Sequence, residues 1–212
     1  MTLDEIRKHL IKYVPDAAVD YCLDLIARYR FALCISRSRH SKYGDYRPPE
    51  KGQGHRITIN HDLNQYAFLI TFIHEVAHLT TFVKTKSLRP PHGPVWKKEF
   101  QRLLYPLLYR HVFPSDLLAP LQNYIANPAA TSCTDLSLLR ALKKYNSDHE
   151  HWQHLEDLPA GVIFRIKTGR VFIKKHQARK NFLCMEVKTN QPYMLNPLME
   201  AQPLVPSLSG LT

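Results

Sequence analysis

The chain has 212 residues, 44% of them hydrophobic, and 29 Lys and Arg against 18 Asp and Glu, a formal charge of +11. That is enough apolar material for a core without disulfide support, and Cys22, Cys34, Cys133 and Cys184 are scattered with no C-x-x-C pair, which suits buried thiols in a reducing compartment. The opening residues carry no basic-then-apolar leader pattern and no apolar run reads as a membrane span, so the expectation is a cytoplasmic protein without membrane contact.

The first elements read as scaffold. Thr2-Leu-Asp-Glu5 has capping-box spacing ahead of Ile6, Leu10 and Val14, and a second helix after Pro15 would turn Val19, Cys22, Leu23 and Ile26 inward. Residues 66–83 form an apolar segment of helical period with no Gly or Pro, and inside it stands His74-Glu75-Val76-Ala77-His78. Residues four apart share a helix face, so His74 and His78 can both turn an imidazole nitrogen to one metal ion, with Glu75 beside them as a carboxylate that is not itself a ligand. This H-E-x-x-H arrangement is the signature of a zinc peptidase, in which the carboxylate takes a proton from water activated by the metal. Two His and a Glu buried in an apolar helix would be costly unless paired or metal-bound.

A third ligand is needed, and Arg89-Pro90-Pro91-His92-Gly93 offers His92, with two prolines stiffening the approach and Gly93 letting the backbone turn after it. The competing candidate is Glu99, from a following helix, which is equally at home as an exposed residue among Lys97, Lys98 and Arg102; the rigid setting favours His92. Helices follow over 95–110, 115–126 and 134–145, with Pro106 and Pro120 expected to kink or break them. Beyond these, 162–166, 171–174, 181–187 and 192–195 read as antiparallel strands, with a turn at Lys167-Thr-Gly-Arg170. The stretch 201–212, with Pro203, Pro206 and Gly210, reads as a poorly ordered tail.

H-E-x-x-H followed by His92-Gly-x-x-Trp96-Lys97 resembles the SprT-like metallopeptidase family, whose relatives include the Spartan proteases that degrade proteins crosslinked to DNA. Ser36-Arg37-Ser38-Arg39, Tyr43-Gly44-Asp45-Tyr46-Arg47 and Arg56-Ile57-Thr58-Ile59-Asn60 resemble the family's strands ahead of the active-site helix, and the likeness covers about residues 15–110 firmly. It implies one zinc ion on His74, His78 and His92, Glu75 as the catalytic carboxylate, and protein substrates near DNA. Many members end in a zinc ribbon built on two C-x-x-C pairs, of which only Cys184 remains here, so the resemblance implies a degenerate ribbon without a second zinc.

From residue 159 to 190, eight basic residues stand against the single acidic Glu186, an electrostatic footprint for a polyanion. Arg165, Lys167, Arg170, Lys174, Lys175, Arg179 and Lys180 are the candidate DNA-contacting residues; Phe164, Phe172 and Phe182 between them are better suited to core packing than to base stacking. A solvated face that only keeps the protein soluble is the competing account.

These readings predict an α+β chain. Residues 1–156 would form a mostly helical zincin-like peptidase domain with a small antiparallel sheet, 157–200 a basic antiparallel β-element, and 201–212 the tail. The expected activity is zinc-dependent hydrolysis of DNA-associated proteins; the alternative is a non-proteolytic nucleic-acid-binding protein linked to transcription, against which Glu75 argues because three His suffice for a structural zinc.

Overall fold

In the computed structural model, which describes residues 2–39, 42–50, 52–126, 128, 135–146 and 152–204, the first helix begins where the capping box predicts it. The Thr2 hydroxyl accepts from the Glu5 amide at 3.3 Å and the Glu5 carboxylate accepts from the Thr2 amide at 2.8 Å, opening α1, Leu3–Leu10. Pro15 leads into α2, Asp16–Tyr29, which buries Ala18, Val19, Cys22, Leu23, Leu25 and Ile26.

Three strands follow: β1, Ala32–Ser36; β2, Gly44–Arg47; and β3, Arg56–Asn60. Their order is β1-β3-β2, with β2 antiparallel to β3 but β1 parallel to it, so this sheet is mixed rather than wholly antiparallel. The chain must cross over between β1 and β2, and buried Asn60 fastens that crossing: its Nδ2 donates to the Arg39 and Lys42 carbonyls, both at 3.1 Å, and its Oδ1 accepts from Arg39 Nε at 2.8 Å. β2 is left at one edge of the sheet, against the next helix.

That helix is α3, Gln65–Thr85. The Asn64 side chain caps it by accepting from the Tyr66 and Ala67 amides at 3.1 and 2.9 Å, and donates to Leu142 O at 3.0 Å, which ties this end to the last helix of the unit. The helix is buried on nearly all sides from Ala67 to Ala77, because β2, β3 and α4, Pro94–Leu108, pack around it. Contrary to the sequence expectation, α3 is long and apolar enough to cross a membrane, but it is mostly buried within the protein and carries two His and a Glu. Two further helices follow among the described residues, α5, Ser115–Ala126, and α6, Leu136–Lys143. Pro106 and Pro120 stand inside α4 and α5 instead of ending them; each removes one main-chain donor, and burial of the flanking leucines holds the helices together.

The chain divides into two units, Met1–Ser147 and Asp148–Thr212. The boundary precedes the expected 156 because β4, Gln153–His154, pairs with β9, Glu200–Pro203. Between them in sequence come a 3-10 turn, Leu155–Asp157, and strands β5, Ile163–Ile166; β6, Val171–Ala178; β7, Asn181–Glu186; and β8, Pro192–Leu195. The six strands form one antiparallel sheet in the order β4-β9-β5-β6-β7-β8 around Leu155, Phe164, Phe172, Cys184 and Ala201. Residues 201–203, expected as tail, are thus strand; the remainder of that stretch from residue 205, Cys133 and Thr134 lie outside the described residues.

Candidate metal centre

His74 and His78 lie one turn apart on α3, and His92 reaches them from the loop before α4. The three Nε2 atoms converge: His74 to His78 3.2 Å, His78 to His92 3.1 Å, and His74 to His92 3.2 Å. Three nitrogens around a tetrahedral zinc at its usual bond length stand about 3.3–3.4 Å apart, so this triangle fits such an ion closely. The three nitrogens also lie within hydrogen-bond distance of one another, but a ring of three imidazole nitrogens closing on one point is equally a donor set for a cation.

Burial keeps all three imidazoles in their neutral, ligating form. It drives His74 well below the ordinary histidine range, with His78 and His92 adding to the effect, and lowers His78 to about 3 with a contribution from His92. His92 is lowered by burial too. Trp96, on the first turn of α4, underlies the cluster with its rings 4.6, 5.3 and 4.6 Å from His74, His78 and His92.

The backbone strain sits at His92 itself. Its φ is 106°, in the region that favours glycine, whereas Gly93 has an ordinary φ of −70°. Gly93 answers a need for space: a Cβ there would fall 2.7 Å from Pro90 Cγ. Sequence reading took Gly93 as the turn-maker; the actual requirement is close packing on Pro90, which spacing alone does not reveal.

Glu75 is 6% exposed, on the side of α3 that meets β2. Burial, together with Asp45, raises its carboxyl to about 8, against the opposing influence of Lys42, Arg39 and a hydrogen bond from the Tyr46 amide. Asp45 is itself ringed by cations, pairing with Arg39, with Lys42 at 3.2 Å and with Arg47 at 3.3 Å.

Glu99 differs from expectation. It is not exposed but 3% accessible, and its carboxylate is engaged by Lys84 and by Arg102 Nη2 at 2.8 Å, apart from the histidine group.

The SprT-like family model matches residues 8–108, which span both the H-E-x-x-H helix and His92. Over this stretch, just under half of the chain, the protein is similar to the SprT-like family. The family is associated with zinc metallopeptidases, in keeping with the donor set of the SprT-like segment. No curated protein and no solved structure matches the chain significantly.

Outside the SprT-like segment, the candidate DNA-contacting residues separate into kinds. Arg165 bonds Gln202 at 2.7 Å, Lys167 pairs with Glu200, and Arg170 pairs with Glu186 at 2.7 Å while lying over Tyr193 at 4.5 Å. Lys174 must be corrected: it is 3% exposed and donates to the carbonyls of Leu155 at 2.6 Å, Leu158 at 2.5 Å and Glu156 at 3.3 Å, with the Phe182 ring 3.9 Å away. The alternation of β6 sends it inward, and burial lowers its pKa. Lys175, Arg179 and Lys180 are exposed near the β6–β7 turn.

Proposed function

We propose that the protein is a zinc-dependent peptidase in which His74, His78 and His92 hold the ion and Glu75 moves the proton. The observation that carries this reading is the convergence of three Nε2 atoms within 3.1–3.2 Å, with a buried carboxylate on the residue next to one of them. When bound, zinc supplies Lewis acidity, which acidifies water and polarises a carbonyl oxygen. Glu75 accepts the proton of the attacking water and returns it to the departing amine, a task for which its place beside the histidine ligands and its burial away from bulk water suit it. The Tyr46 amide and the packing of β2 on α3 orient that carboxylate, and Trp96 supports the imidazoles from below.

The substrates we propose are proteins associated with DNA, reached with the help of the exposed Lys175, Arg179 and Lys180. The +11 charge and the SprT-like segment support this reading.

Glu75→Gln tests the chemistry. It keeps the shape of the side chain but removes the base, so zinc content and fold should persist while cleavage of casein or histone falls by about two to four orders of magnitude. Unchanged turnover would reject Glu75 as the proton carrier, and a chain that binds zinc but never cleaves protein would favour a structural zinc in a nucleic-acid-binding protein.

A further inference from the structure

β2 passes so close to α3 that one of its residues has no room for a side chain. A Cβ at Gly44 would fall 2.8 Å from Glu75 Oε1, 2.8 Å from Thr71 Cγ2 and 2.9 Å from Glu75 Cγ, closer than carbon atoms approach either group. The constraint is spatial, because among the described glycines those with positive φ are Gly52, Gly161 and Gly169 and not Gly44. Neither neighbour yields easily. Thr71 is fully buried and its hydroxyl donates to Ala67 O at 2.8 Å, which fixes the methyl group that faces the strand. Glu75 is buried and accepts from the Tyr46 amide, two residues further along the same strand. The strand cannot retreat either: Gly44 is paired with Ile59 across the sheet, and the adjacent Asp45 is held by Arg39 and Lys42.

We propose that Gly44 is a positioning residue for Glu75: the place of its missing side chain is the slot in which the Glu75 carboxylate is held, between the strand backbone and the Thr71 methyl. Its consequence for turnover rests on the reading of Glu75 as proton carrier; the contact itself does not.

The experiment separates the two. Gly44→Ala is made in the full-length chain alone, with Glu75→Ala and with Thr71→Ser, which removes the facing methyl and keeps the hydroxyl. Each protein is assayed for zinc content, for peptidase kinetics and, after metal is stripped by a chelator, for its thermal midpoint. Gly44→Ala should keep one zinc per chain and lower kcat about tenfold or more, with KM changed by no more than about twofold. It should also lower the metal-free midpoint by roughly 3–8 °C. That loss should shrink by more than half in the Glu75→Ala background, and Thr71→Ser should restore part of the lost kcat. An equal midpoint loss in every background overturns the contact, and unchanged kcat in Gly44→Ala overturns the positioning role. If wild type cleaves no protein, the peptidase reading falls, while the thermal cycle still decides whether Gly44 holds the carboxylate. An insoluble Gly44→Ala chain supports the contact if Glu75→Ala and Thr71→Ser together recover it, and overturns it if they do not.

Discussion

At the scale of single residues, His92 combines two demands that oppose each other: an imidazole aimed at the His74 and His78 nitrogens, and a backbone φ of 106° that a side chain disfavours. His74→Ala, His78→Ala and His92→Ala should each greatly weaken zinc binding, measured by metal content after dialysis, whereas Glu99→Ala should leave it intact because that carboxylate is already engaged by Lys84 and Arg102. Among metal-free proteins, His92→Gly should be more stable than His92→Ala by about 1 kcal/mol, since only glycine is at ease with such a φ. The reverse order in a thermal melt would mean that the loop relaxes to an ordinary conformation. The histidines could be read in the sequence because i,i+4 spacing on an apolar helix and a stiff Pro-Pro approach are local signals. The strain at His92, the slot at Gly44 and the ion pairs of Glu99 were hidden, for each depends on what another part of the chain brings close.

At the scale of elements, the C-terminal sheet is pinned by a buried ammonium. Lys174 reaches from β6 to the carbonyls of Leu155, Glu156 and Leu158, in and just after the 3-10 turn, and its replacement by Met would remove the ammonium donor from all three. Lys174→Met should therefore destabilise this unit by roughly 2–4 kcal/mol, against less than about 0.5 kcal/mol for exposed Lys175→Met. Hydrogen exchange of the β6 and β7 amides during urea titration provides the measurement, and equal protection in the two variants would refute the pin. The helices α1 to α6 were legible from the sequence, and Asn64 and Thr2 mark the starts of α3 and α1 as such side chains should. β9 was not: Glu200-Ala-Gln-Pro203 has no β-branched or aromatic residue, and it is a strand because β4 and β5 offer it hydrogen-bonding partners on both sides. The parallel pairing of β1 with β3 likewise arises from the crossing that Asn60 fastens, not from the strands' own composition.

For the whole molecule, the charge of +11 has a test confined to the residues that reach solvent. Reversing Lys175, Arg179 and Lys180 to Glu should weaken binding to fluorescent oligonucleotides of any sequence and flatten the dependence of affinity on salt, because each phosphate contact releases condensed counterion. Lys174 must be left alone in this experiment, since a carboxylate there would unfold the sheet and imitate lost binding. Zinc content should not change, and equal salt slopes for variant and parent would return the turn to a solubilising role. The division into two units was visible in the shift from helical period to alternating strands and in the crowding of basic residues after residue 159. Its boundary was not, because Gln153 and His154 find their place only through β9. That arrangement governs how the protein is made. On the ribosome the earlier unit has all its strands and helices before the sheet begins, but β4 and β5 must wait, with open edges, for a strand that emerges some forty residues later. While those edges are unpaired they are open to mispairing with another copy of the chain, and that opening closes when β9 enters between them.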